Sequence, residues 1–140
     1  MAKSITHAAV GLLVGDGLLD LDRPAAVPSW RGTPKESITL QHLLDMRSGL
    51  QWVEDYVDDQ VSTCIEMLYG VGQHDMATYA AALPVVAPPG TTWNYSSGTT
   101  NIICRIVGDV VGGGRAGMEA FLAERLFGPG GVASASPKLD

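Results

Sequence analysis

Apolar residues recur at helical spacing from the beginning of this chain. Between Ser4 and Val14 they fall on one face, and the other positions are mostly small or apolar as well. Apolar residues three and four apart predict an α-helix, and a helix that is apolar on most sides is expected to be buried. Gly15 or Gly17 is the predicted left-handed cap at its C-terminus.

The same spacing predicts five further helices and little strand. In the clearest of them Ile102, Ile103 and Ile106 repeat at three- and four-residue steps. The sequence Pro88-Pro89-Gly90 predicts a turn with a short strand beside it. The five segments are a helix capped by Thr39 and ended by Ser48-Gly49, then about Val61 to Tyr69, Met76 to Leu83, Thr99 to Val111 (capped by Ser97 or Thr99) and Gly117 to Phe127.

Length and charge restrict what such a helical chain can do. Its 140 residues fit one domain, 1–140, or one lobe of a larger domain. Fifteen acidic residues against nine basic ones give a net charge of −6, so no nucleic-acid partner is expected. No apolar run approaches the roughly 20 residues that span a membrane. Cys64 and Cys104 are interpreted as unpaired buried thiols, although folding could bring them together.

The two ends of the chain suggest a piece of a larger fold. The first helix starts at the N-terminus without a polar cap, and the segment after Gly128 is predicted to be a loop with no closing element. Complete domains usually tie down or solvate their ends. We therefore expect a mainly α fragment, truncated at both ends, with an exposed apolar face on its first helix that favours self-association.

Two side chains are candidates for proton transfer. Lys3 stands in the first turn of an apolar helix. If the chain continues upstream, partial burial of its ammonium would make it a possible proton acceptor. Tyr95 follows the Pro/Gly-shaped loop and precedes the most regular helix. If the two lie side by side, the ammonium favours the phenolate, and the pair can take a proton from a serine hydroxyl. Taken singly, Lys3 is also explained as a solvated residue near the chain terminus, and Tyr95 as a core or capping tyrosine.

Four stretches in order resemble the penicillin-recognising serine hydrolases. This family includes class C-type β-lactamases, D-Ala-D-Ala carboxypeptidases, esterases and 6-aminohexanoate-dimer hydrolases, and the loop Glu54-Asp55-Tyr56 is most similar to the last of these. The four stretches are Lys3-Ser4 with the helix and Gly17–Asp22 after it, Ile38–Leu50 (similar to I-T-x-x-H-L-L-x-M-x-S-G-L), Pro89–Gly98 (the tyrosine loop) and Leu126–Val132 (similar to L-F-x-P-L-G-M).

The resemblance implies a helical lobe of an α/β hydrolase fold and a serine acyl-enzyme mechanism without metal or cofactor. Lys3 matches the lysine of S-x-x-K, whose serine would be the residue directly before Met1. Tyr95 matches the tyrosine of Y-x-N, and Ser97 takes the place of the substrate-binding asparagine. This replacement favours small-molecule esters or amides over β-lactams. The serine hydroxyl and a counterpart of the K-T-G strand are both missing from these residues, so we expect these 140 residues alone to be inactive.

A second hypothesis is a non-catalytic helical module that binds a partner.

Three other features of the sequence are interpreted as structural. The segment Gly112–Gly117 is interpreted as a helix–helix turn, since phosphate loops follow a strand and carry a Lys-Ser/Thr pair. The acidic residues Glu54, Asp55, Asp58 and Asp59 fit no calcium-loop spacing and are interpreted as a solvated loop. His7, His42 and His74 have no metal-ligand spacing, and His42 is placed to cap backbone at a helix start.

Overall fold

The computed structural model describes residues 2–56 and 62–137. Within these ranges the backbone is mainly helical, as predicted. Two short 3₁₀ turns, Pro28–Trp30 and Pro34–Ser37, precede the second helix, and a π-helical turn, Ala123–Phe127, follows the last. The helices are α1 (Ala2–Gly15), α2 (Leu40–Leu44), α3 (Thr63–Tyr69), α4 (Met76–Ala82), α5 (Ser97–Val111) and α6 (Gly114–Leu122).

β pairing in the described part of the chain is limited to two isolated bridges. One joins Pro24 to Thr39 and the other joins Leu50 to Val85, both antiparallel. The short strand predicted beside the proline turn is therefore reduced to the single pairing at Val85. None of the helices in residues 2–56 and 62–137 is both long and apolar enough to cross a bilayer.

The chain divides into two compact units. The terminal unit consists of Met1–Leu19 and Val107–Asp140, and the central unit consists of Asp20–Ile106. The backbone of α5 continues from one unit into the other at this boundary. Lys3 belongs to the terminal unit, whereas Tyr95 and Ser97 belong to the central unit.

In the terminal unit, α1 ends in a glycine-dependent cap. Gly17 has φ +71°, and its N–H donates to the carbonyl of Val14 at 2.9 Å. The N–H of Leu18 donates to the carbonyl of Leu13, also at 2.9 Å. This pair of bonds is the Schellman motif, in which glycine avoids the steric cost of a left-handed residue. The cap predicted from the sequence is therefore confirmed, with Gly17 as the left-handed residue.

Burial of α1 is narrower than the sequence predicts. Only its stripe Ala9, Val10 and Leu13 is buried, whereas Ser4 and Gly11 are exposed. Exposing a face made of small side chains to water costs little free energy, so apolar composition overestimates the buried area of the helix.

The π-helical turn is joined to the end of α1 by Arg125, whose guanidinium donates two hydrogen bonds to the Asp16 carboxylate at 2.9 and 3.0 Å.

In the central unit, the indole of Trp30 is buried at the C-terminal end of α4. Its Nε1 donates to the carbonyl of Ala81 at 2.9 Å, and Nζ of Lys35 donates to the same oxygen at 2.7 Å. Two donors thus satisfy a carbonyl that has no partner within its helix. Partial burial lowers the pKa of Lys35.

The starts of α5 and α6 differ from their predicted positions. The hydroxyl of Ser96 accepts a hydrogen bond from the N–H of Thr99 at 2.9 Å. The N-cap of α5 is therefore Ser96, not Ser97 or Thr99, because the capping oxygen must reach the N–H three residues on. Helix α6 begins at Gly114 rather than Gly117. The glycine turn between α5 and α6 confirms the interpretation of that segment as a helix–helix connection.

The remaining predicted helices are found within a few residues of their expected bounds. Helix α2 is capped by Thr39 as predicted but ends at Leu44, before Ser48-Gly49. Helix α3 is capped by Ser62, and Val61 lies outside the described residues. Neither Cys64 nor Cys104 forms a disulfide, and Cys64 is buried. The prediction that Cys104 is buried was wrong, since the buried isoleucines of α5 occupy the opposite side of that helix.

Candidate active site

The segment Ile38–Leu50 begins with a reciprocal cap. The hydroxyl of Thr39 accepts from the N–H of His42, and Nδ1 of His42 accepts from the N–H of Thr39, each at 3.2 Å. This capping box confirms the structural role expected for His42. The other edge of the same ring lies against Gly90, where a Cβ would be 2.8 Å from Nε2. Gly90 also has φ +82°, so both space and backbone conformation require glycine in the tyrosine loop at this point.

The turn after α2 presents backbone carbonyls to the tyrosine loop. The carbonyl of Met46 accepts from the N–H of Asn94, and that of Arg47 accepts from the N–H of Gly90, both at 2.8 Å. The carbonyl of Gly49 accepts from the N–H of Val86 at 2.9 Å. The segment that resembles the family's signature helix therefore determines the path of the loop that carries Tyr95.

Met46 has an unusual conformation within this turn. Its φ is +58°, and left-handed backbone costs about 1 kcal/mol or more in a residue with a Cβ. Its side chain is buried, and its carbonyl is the one that holds Asn94. Strain of this kind is maintained by the surrounding contacts and is found near functional sites.

Tyr95 is fixed by its neighbours on both sides. Before it, the side-chain amide of Asn94 donates to the carbonyl of Trp52 at 3.1 Å. After it, the buried side chain of Ser96 caps α5. Tyr95 itself remains 40% exposed. The loop thus holds the backbone of Tyr95 in place while its side chain stays accessible to a small molecule.

A carboxylate organises the other side of this loop. Glu54 Oε2 accepts hydrogen bonds from the backbone N–H of Ser97 at 2.8 Å and from Trp52 Nε1 at 2.5 Å. Its Oε1 accepts from the Ser97 hydroxyl at 2.5 Å and from the Tyr56 hydroxyl at 2.9 Å. Ser97, predicted to contact substrate, is therefore oriented by Glu54.

The environment keeps Glu54 ionised. Burial alone raises the pKa of its carboxyl, but the hydrogen bonds from Ser97, Trp52 and Tyr56 outweigh burial and lower that pKa below its usual value. The interpretation of Glu54 as part of a solvated loop was wrong, because its carboxylate accepts a hydrogen bond from Ser97, which lies 43 positions away in the chain. Asp55 is exposed, and Asp58 and Asp59 lie outside the described residues.

The buried thiol of Cys64 lies next to one of the donors that bind Glu54. The Tyr56 hydroxyl is 3.1 Å from Cys64 Sγ. Hydrogen bonding to Cys64 and to Glu54 raises the pKa of the Tyr56 phenol, because ionisation would remove the donor. Burial raises the pKa of the Cys64 thiol. Both groups are thus kept in their neutral forms at neutral pH.

Lys3 is placed in the first turn of α1, as predicted, and is half-buried. The juxtaposition of Lys3 and Tyr95 stays a prediction. Among residues 2–56 and 62–137, no group of three or more His, Cys, Asp or Glu side chains converges as a metal site would require.

Comparison with known families identifies the chain. A family model described as Beta-lactamase matches residues 1–136. The chain therefore belongs to the beta-lactamase family, which confirms the resemblance seen in the four sequence stretches. Among curated proteins, none matches this sequence.

Proposed function

We propose that this member of the beta-lactamase family is a serine acyl-transfer hydrolase whose substrates are small esters or amides. The observation that supports the proposal most directly is the placement of Tyr95: the side chain of Asn94 donates to the carbonyl of Trp52, that of Ser96 accepts from the N–H of Thr99, and Tyr95 between them is 40% exposed. A proton-transfer group works best when it is held in its reacting geometry before substrate arrives.

In the proposed reaction, a serine hydroxyl attacks the carbonyl carbon of the substrate. Its proton passes to Tyr95, with Lys3 as the second proposed proton-transfer group, and from there to the leaving alcohol or amine. Water then releases the acyl group by the reverse proton movement. In the S-x-x-K pattern the serine precedes Lys3 by three positions, which is the position before Met1. Ser97 is proposed to line the substrate site in the orientation set by Glu54.

The experiment uses the protein translated from the complete reading frame that contains these residues, assayed with p-nitrophenyl esters and a chromogenic anilide. Tyr95→Phe and Lys3→Ala are each expected to lower kcat/KM about a hundredfold or more. Tyr69→Phe is the matched control, because Tyr69 is 77% exposed on α3. The proposal fails if Tyr95→Phe turns over as fast as Tyr69→Phe, or if the codon before Met1 does not encode serine. The 140-residue polypeptide by itself is expected to show no turnover.

A second candidate function is a non-catalytic binding module, favoured by the apolar groups exposed near the end of α3. Tyr69 is 77% exposed and Val71 is 81% exposed. Exposed apolar side chains that lie together favour association with a partner or with a second copy. Sedimentation of Val71→Asp beside the unchanged chain tests this. A monomer in both cases, together with turnover that depends on Tyr95, would exclude the module.

A further inference from the structure

The hydrogen-bonding capacity of the Glu54 carboxylate is fully used within the protein. A carboxylate accepts about four hydrogen bonds, and Glu54 accepts from Trp52 Nε1, the Ser97 N–H, the Ser97 hydroxyl and the Tyr56 hydroxyl. A group with this many internal donors is poorly suited to binding substrate. It is well suited to holding two chain segments in one fixed arrangement.

Glu54 joins residues 52–56 to the C-terminal end of the tyrosine loop. Ser97 is the first residue of α5, two positions after Tyr95, and Trp52 accepts the side-chain bond of Asn94, one position before Tyr95. The indole of Trp52 also fills the space next to Gly98, where a Cβ would lie only 2.4 Å from the ring. Tyr95 is thus bracketed by contacts to residues 52–54.

We propose that Glu54 is the positioning residue for Tyr95. This proposal rests on the proposed function, which assigns proton transfer to Tyr95. The negative charge of Glu54 suits the positive end of the α5 dipole at Ser97. A neutral amide at this position would replace one accepting oxygen by an NH₂ group, which cannot accept from the donors that now face it. The first turn of α5 would then lose its link to residues 52–56, and Tyr95 would lose one of its two fixed flanks.

The test follows Tyr95 directly, without requiring turnover. The chain contains four tyrosines, so fluorotyrosine labelling gives four ¹⁹F resonances that single Tyr→Phe variants assign. Glu54→Gln is expected to shift or broaden the Tyr95 resonance and that of Tyr56. The signals of Tyr69 and Tyr79 should stay in place.

The matched control is Glu36→Gln. Glu36 is a carboxylate of the same unit that accepts a single backbone bond from Gly32, at 3.0 Å, and its replacement should leave all four signals unchanged. A Tyr95 resonance that does not move in folded Glu54→Gln overturns the proposal. If Glu54→Gln does not fold, Ser97→Ala, which removes one of the four donors, decides the question: a moved Tyr95 signal supports the proposal and an unmoved one refutes it.

A kinetic arm in the complete protein separates this proposal from the proposed function. Glu54→Gln is expected to lower kcat about tenfold with KM nearly unchanged, since small misplacement of a reacting group lowers the rate of the chemical step. If Tyr95→Phe leaves turnover intact, the proposed function fails, whereas the ¹⁹F result still reports whether Glu54 holds Tyr95. If Tyr95→Phe abolishes turnover and Glu54→Gln changes neither kcat nor the Tyr95 signal, only the positioning role fails.

Discussion

Substitution of Gly98 by alanine tests the packing that supports the tyrosine loop. Within a helix, alanine is normally favoured over glycine by about 1 kcal/mol. At Gly98, however, the added Cβ would lie 2.4 Å from a ring atom of Trp52 and 2.9 Å from the Cβ of Ala80. Ordinary carbon contacts lie near 3.5 to 4 Å, so the neighbouring groups must move.

The indole is not free to move without further loss. Trp52 is buried, and its Nε1 donates to Glu54. Overpacking costs about 1–3 kcal/mol, and loss of a hydrogen bond to a charged acceptor adds roughly 1 kcal/mol or more. These costs exceed the propensity gain, so we expect Gly98→Ala to destabilise the fold by about 2 kcal/mol.

Gly108 provides a control in the same helix. A Cβ at Gly108 would have no heavy atom within 4 Å, so only the helix propensity changes and Gly108→Ala should stabilise by about 1 kcal/mol. For a chain of this size roughly 4 °C of melting temperature corresponds to 1 kcal/mol. Circular dichroism at 222 nm should therefore show Tm lower by about 8 °C for Gly98→Ala and higher by about 4 °C for Gly108→Ala. Equal shifts, or a stabilised Gly98→Ala, would refute the close packing of Trp52 on α5.

Three further predictions concern groups outside the tyrosine loop. With an aromatic disulfide reagent, exposed Cys104 should react at once, whereas Cys64, which is buried and has a raised thiol pKa, should react only on unfolding. A hydrogen bond from Arg125 lowers the pKa of Asp16, so the ionised carboxylate stabilises the fold at neutral pH. This stabilisation is lost as the pH falls through the lowered pKa. Asp16→Asn should therefore flatten the acid limb of a curve of Tm against pH. Asp75 caps α4, and Asp75→Ala should cost about 1 kcal/mol in urea unfolding.

Each of these has a clear contrary result. Two thiols that react at equal rates in the folded protein would contradict the burial of Cys64. An acid limb that is unchanged in Asp16→Asn would show that its contact with Arg125 does not persist in solution. An unchanged urea midpoint in Asp75→Ala would mean that the first turn of α4 is held by packing and not by its cap.

Much of the site's local architecture follows from neighbouring residues. The apolar spacing located α5, and the Pro/Gly-rich loop before it placed Tyr95 at its start. The cap of α2 by Thr39 was also predictable, because a capping box needs groups only three positions apart. The family followed from ordered short stretches, each of which is local in sequence.

The role of Glu54 could not be found in this way. Its acidic neighbours Asp55, Asp58 and Asp59 gave the segment the composition of a solvated loop, and the signal that distinguishes Glu54 is a partner 43 positions away. One local hint was the presence of aromatic donors at positions 52 and 56, close enough to share a carboxylate. The left-handed backbone of Met46 gave no sequence signal, since methionine is not a residue that favours φ +58°.

The amino-acid sequence by itself determined the approximate helices, the glycine cap of α1, the Thr39 cap of α2 and the family, because periodicity, capping and motif order depend on residues within a few positions of one another. Tertiary structure alone decided which polar groups hold the tyrosine loop, since the hydrogen bonds of Asn94 and Ser97 to Trp52 and Glu54 span more than forty residues. Such bonds form only when packing brings distant backbone and side-chain donors to one carboxylate and one carbonyl, and no spacing along the chain encodes that distance.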